Sequence, residues 1–121
     1  MELTFYWYPK CSTCKAAKKQ LETSASLTLV DIKETPPTKE NILKWMNQGD
    51  FTIKNFFNTS GLSYRTLGMK DKIDQLTKEE AAALLETDGM LIKRPLLLDA
   101  TGRLVRIGYK EESYKEVLAN E

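Results

Sequence analysis

Residues 3–32, LTFYWYPKCSTCKAAKKQLETSASLTLVDI, decide the fold. Leu3, Phe5 and Trp7 alternate with Thr4, Tyr6 and Tyr8, the period of a strand whose side chains point to opposite faces in turn. Pro9 and Lys10 end that pattern. Ser12 to Glu22 then reads as a helix, with Cys14, Ala17 and Leu21 on one face and Lys15, Lys18 and Lys19 mostly outside. Leu27 to Ile32 is a second strand. Strand, helix and strand within about thirty residues form a βαβ unit, whose crossover makes the two strands parallel.

Pro36-Pro37 breaks this alternation. Ile42, Trp45 and Met46 resume a helical spacing, with Gly49 where a C-terminal cap belongs. Ile53, Phe56 and Phe57 repeat the spacing before Gly61. A short helix is expected over Lys70 to Gln75. Thr77-x-x-Glu80 is a capping box opening a helix to about Thr87, with Gly89 beyond it. Pro95 to Asp99 reads as a short buried strand, Ala100-Thr101-Gly102 as a turn and Leu104 to Ile107 as the return strand of a hairpin. Glu111 to Leu118 closes with a helix facing inward through Tyr114, Val117 and Leu118. The plan is an α/β protein: βαβ plus ββα in one mixed sheet, read as a single domain over residues 1–121. Residues from about 36 to 92 form a helical insertion, whose apolar faces are too few to make a core alone.

Composition narrows the chemistry. The chain has 121 residues, of which 41% are apolar, enough to fill one core without disulfide staples. Lys and Arg total 18 and Asp and Glu 17, so no bulk charge draws the chain to nucleic acid or acidic lipid. The longest apolar run, Ala81 to Leu85, is far short of the roughly 20 residues of a membrane span. With no basic, apolar leader at the start, a cytoplasmic location is expected. Histidine is absent, which excludes Ser-His-Asp triads, Cys-His dyads and imidazole metal ligands. Two cysteines cannot close a four-thiolate zinc site, so no metal is expected.

The two cysteines, Cys11 and Cys14, stand where the first strand hands over to the first helix. A helix start has unpaired N–H groups and a positive dipole end, and both favour a thiolate at Cys11. Lys10 and Lys15 add positive charge. Such settings commonly bring a thiol pKa into the ~3.5–7.5 range. Cys14 lies one turn on. Side chains at i and i+3 come within about 5–6 Å, so the pair can close into a mildly strained, reducible disulfide. Cys11 is therefore the expected nucleophile and Cys14 the resolving thiol. The plainer alternative makes Cys14 a small core residue and Cys11 an idle loop thiol.

An attacked oxyanion would need its charge held. The amides of Ser12, Thr13 and Cys14 supply one part, and an arginine fork matches the remainder. Of the four arginines, Arg94 stands out because it precedes Pro95 at a strand start, where a cis bond would turn the loop toward a neighbouring site. Arg103, beside Gly102, reads as a solvated turn residue. The Trp45, Phe56 and Phe57 stripes read as core.

YPKCSTCKAAKKQL, ETPPT, LGMKDK, LIKRPLLL and GYKEE, in that order over nearly the whole chain, resemble the arsenate reductase family, including its Spx-type members. The resemblance implies a thioredoxin-like fold with a helical insertion. It implies that Cys11 forms a thiolate–arsenate adduct assisted by arginines, for which Arg94-Pro95 and Arg106 match. A third arginine of the family falls on Asn58 here, while Arg65 is not its equivalent. Cys14 replaces a serine of the glutaredoxin-coupled enzymes, and Trp7 replaces a histidine. The implied activity is arsenate reduction or thiol–disulfide exchange. It needs no cofactor beyond an external thiol reductant, glutathione with glutaredoxin or else thioredoxin. The substrate-binding set would be Ser12, Thr13, Lys15, Asn58, Pro95 and Arg106. The Spx-type alternative is a redox-sensing regulator that binds RNA polymerase, with no direct contact to nucleic acid.

Overall fold

The computed structural model describes residues 1–120. Its elements run β1 (Glu2–Trp7), α1 (Ser12–Glu22), β2 (Ser26–Asp31), α2 (Lys39–Met46), α3 (Leu62–Thr66), α4 (Lys78–Glu86), β3 (Leu96–Leu98), β4 (Leu104–Ile107) and α5 (Glu111–Ala119). They gather into two compact units. One holds Met1–Asp31 and the chain from Arg94 onward, and the other is Ile32–Lys93.

The first unit is built on a sheet of order β2-β1-β3-β4. β1 and β2 run parallel from Glu2 opposite Ser26 to Trp7 opposite Asp31, as the βαβ reading requires. β3 lies antiparallel on the other side of β1, pairing Tyr6 with Leu96, and β4 returns beside it with a register shift at Leu97–Leu98. The apolar face that the alternation in β1 predicts is where the core forms. Leu3 and Phe5 pack with Ala17 and Leu21 of α1, with Leu97, and with Tyr114 of α5. The Tyr109 hydroxyl donates to Gln20 Oε1 at 2.6 Å, and Gln20 Nε2 donates to the Glu111 carbonyl at 3.1 Å. These bonds tie α1 to the start of α5. The buried Tyr114 hydroxyl donates to the Gly108 carbonyl at 2.9 Å, and its ring meets Tyr109 edge-on at 4.8 Å. β1 is thus an inner strand, and the chain leaves its C-terminal end directly into α1. The register of Tyr6 with Leu96 brings Arg94 and Pro95 to that same end.

In the second unit Ile42, Trp45 and Met46 of α2 are buried, as are Phe56, Phe57, Ala81, Ala82 and Leu85. Three expectations change here. The cap of α2 is Asn47, and Gly49 follows it at φ +87, with its N–H donating to the Met46 carbonyl at 3.4 Å. Lys70 to Gln75 is not one helix but two 3₁₀ turns, Met69–Asp71 and Ile73–Gln75, since a segment this short cannot offset the cost of helix nucleation. Ile53–Phe56 is likewise a 3₁₀ turn. The pattern gave no sign of α3, because Tyr64 is its one buried residue.

The capping box of α4 is present. Thr77 Oγ1 accepts the Glu80 N–H at 3.1 Å, and Glu80 Oε1 accepts the Thr77 N–H at 3.0 Å. The Thr77 N–H, together with the Thr77 hydroxyl, holds the Glu80 carboxyl below its ordinary value. Their contribution is therefore complete above the unfolded carboxyl pKa and is lost as pH falls through the lowered one. Thr77→Ala should cost about 1 kcal/mol in a urea unfolding measurement. An unchanged midpoint would show that the cap contributes nothing. No helix of the described residues is long and apolar enough to cross a membrane.

Candidate functional site

Tyr8, Pro9 and Lys10 make the turn out of β1. Its closing bond runs from the Cys11 N–H to the Tyr8 carbonyl at 2.9 Å. Cys11 has extended backbone (φ −93, ψ 119) and is the N-cap of α1, while its carbonyl accepts the Lys15 N–H at 3.1 Å. The Cys11 side chain therefore stands at the positive end of an 11-residue helix. Cys11 is half-exposed, and Cys14, one turn below, has 0% of its surface accessible. Both are free thiols.

The two thiols are pushed in opposite directions. Partial burial alone would raise Cys11. The Cys14 N–H, the Cys14 thiol, the Arg94 guanidinium and the Thr13 N–H together outweigh it and hold Cys11 below its usual value. The Cys11 side chain makes no conventional cap bond as a thiol, yet those amides favour its anion. Burial pushes Cys14 up to about 12, against the Tyr8 N–H and Arg94, and the neighbouring Cys11 raises it further. One thiol is thus prepared to ionise and the other to stay neutral.

Arg94 is half-buried, and its bond to Pro95 is cis. Its Cζ stands 5.4 Å from the centroid of the Tyr8 ring. Pro95 is buried, and its carbonyl accepts the Gly108 N–H at 2.8 Å, which anchors the start of β3. Ser12 and Thr13 are exposed in the first turn of α1, and Lys15 is exposed on its outer side.

The structure brings Cys11, Thr13, Cys14 and Arg94 together. Arg106, on the edge strand β4, is turned to α5 instead. Its Nε donates to Ser113 Oγ, Nη1 to the Val105 carbonyl at 2.7 Å and Nη2 to Glu116 Oε2 at 3.4 Å. Asn58 lies in the second unit and belongs to a local turn. Its N–H donates to the Leu91 carbonyl at 2.8 Å, and its carbonyl accepts the Gly61 N–H at 3.0 Å. Among the described residues, no three Cys, Asp or Glu side chains come together as metal ligands. Sequence reasoning missed Tyr8 as a site residue. The available signal was an aromatic ring three positions before Cys11, read only as the last residue of a strand pattern.

Comparison with known proteins adds the following. The ArsC family profile matches residues 6–117. The uncharacterized protein YusI of Bacillus subtilis (strain 168) is 46% identical, covering 96% of this chain and 98% of its own length. Regulatory protein MgsR of the same organism is 27% identical over 89% of this chain and 83% of its own. The crystal structure of a possible arsenate reductase from Streptococcus mutans UA159 is 51% identical, with a TM-score of 0.89 over 95% of this chain and 96% of that one. The likeness bears out the thioredoxin-like α/β fold expected from the sequence.

Proposed function

The chain belongs to the ArsC family, and from that premise we propose that it is a thiol oxidoreductase acting through a Cys11 thiolate, with arsenate as its oxyanion substrate and Cys14 as its resolving thiol. The observation that carries this reading is the opposed pair of thiols at the start of α1, one lowered and half-exposed, the other raised and buried.

The chemistry balances with thiols alone. The Cys11 sulfur bonds to As(V) and displaces one oxygen, which leaves as water after taking up two protons. A second thiol then attacks the Cys11 sulfur. An S–S bond forms, the S–As bond breaks, and its electron pair stays on arsenic, which leaves as arsenite, As(III). Cys14 is placed to be that second thiol. Once Cys11 is bonded, its negative charge no longer acts on Cys14, and one of the causes holding Cys14 neutral is gone. The Cys11–Cys14 disulfide is reset by two electrons from thioredoxin or from glutathione with glutaredoxin. Arg94 and the first-turn amides would hold the oxyanion, and no cofactor or metal enters the cycle.

Arsenate-dependent thiol consumption, measured with thioredoxin and glutaredoxin systems side by side, tests this. Turnover with one of them is expected. The likeness to a regulatory protein favours a second reading, an Spx-like sensor in which the Cys11–Cys14 pair is a switch for RNA polymerase binding. Retention of polymerase by the chain, with no arsenate-dependent thiol consumption in either system, would select it.

A further inference from the structure

We propose that Tyr8 is a positioning residue whose aromatic ring holds the Arg94 guanidinium beside Cys11, so that the reactivity of Cys11 depends on that ring. The inference rests on the reading of Cys11 as the nucleophile and names a residue that tunes it. Tyr8 meets the site in two separable ways. Its backbone carbonyl accepts the Cys11 N–H at 2.9 Å, a contact that survives any side chain. Its ring lies 5.4 Å from Arg94 Cζ, a contact that only an aromatic face provides. Arg94 is a long side chain at the start of β3, and a guanidinium free to swing would spend less time near the thiol. Stacking on a ring fixed by the turn before α1 limits that freedom.

The groups that act on the Cys11 sulfur come from two segments of the chain. Cys14 and the Thr13 and Cys14 amides come from α1, Arg94 comes from the segment before β3, and Lys10 and Lys15 flank the site in solvent. Arg94 is a side-chain cation that both acts on the Cys11 anion and is held by an aromatic face. Removing the ring should therefore weaken the influence of Arg94 without touching the amides.

The test is the rate of iodoacetamide labelling of Cys11 in the reduced full chain across pH, for the unaltered protein and for Tyr8→Phe, Tyr8→Leu, Arg94→Gln and the Tyr8→Leu/Arg94→Gln double variant. Tyr8→Phe keeps the ring and should keep the midpoint. Tyr8→Leu should raise the midpoint and slow labelling by about threefold at pH values below it. The double variant should shift no further than Arg94→Gln alone, because both changes remove one influence. Pentafluorophenylalanine at position 8 keeps the ring's shape but reverses its quadrupole. It should raise the midpoint as Tyr8→Leu is expected to, and it serves in its place if the leucine chain fails to fold. An unmoved midpoint in Tyr8→Leu, full additivity with Arg94→Gln, or a fluorinated ring that behaves like tyrosine would each overturn the inference. Labelling uses neither arsenate nor a reductant. A Tyr8 effect in a chain with no turnover would therefore remove the proposed reaction and leave this inference standing.

Discussion

At neutral pH, iodoacetamide is expected to label Cys11 of the reduced chain and to leave Cys14 unmodified, at rates separated by orders of magnitude. The thiolate is the reacting species. With its pKa pushed up to about 12, only about one Cys14 in 10⁵ is ionised at pH 7. It also has no accessible surface, so the reagent must await a local opening. Cys11 is half-exposed, and the nearby amides and Arg94 hold it below its ordinary value. The sign of the pH dependence follows. Cys11 labelling should rise about tenfold per pH unit below its midpoint and flatten above it. Cys14 should gain only as pH approaches about 12. Cys11→Ser should remove the label at neutral pH and abolish arsenate-dependent thiol consumption. Peptide mass spectrometry after timed quenching reads both sites in one sample. Equal rates, or Cys14 labelled first, would reverse the assigned roles. Turnover retained by Cys11→Ser would end the proposed chemistry.

Gly89→Ala should destabilise the chain by about 3 kcal/mol or more, far above a typical surface substitution. A Cβ at Gly89 would stand 1.8 Å from the Ile32 carbonyl oxygen and 2.7 Å from its carbon. Both are backbone atoms and cannot rotate aside, so the 3₁₀ turn Gly89–Leu91 or the chain at Ile32 must move bodily. Gly61 offers the contrast. A Cβ there would meet Asn58 Nδ2 at 2.5 Å, the end of a side chain that can swing away, so Gly61→Ala should cost much less. Urea unfolding of the two variants against the unaltered chain decides the matter. A Gly89→Ala chain within about 1 kcal/mol of the original would show that the close approach relaxes easily.

The sequence determined what rests on local period and local chemistry. The alternation from Leu3 to Trp7 and the face of Cys14, Ala17 and Leu21 specify β1, α1 and the parallel β2, because those patterns reflect 2.0- and 3.6-residue repeats that need no distant partner. Thr77 and Glu80 announced their capping box for the same reason. Zero histidines excluded imidazole chemistry outright, and the Cys11–Cys14 spacing marked the thiol pair. What only the tertiary structure decided depends on residues far apart in the chain. The order β2-β1-β3-β4 brings residue 94 beside residue 11 and leaves Arg106 on an edge strand, within reach of Ser113 and Glu116. The sequence singled out Arg94 by its place before Pro95 and offered Arg106 through the family resemblance, and only the fold separates what the two side chains do. The difference between the two thiols is likewise a matter of burial. Both sit within one turn of helix, but one faces the core and the other the solvent, and desolvation acts on the charged form according to that placement. The Tyr8–Arg94 contact and the near collision of Gly89 with Ile32 are of the same kind. They arise from the meeting of segments that no local period connects.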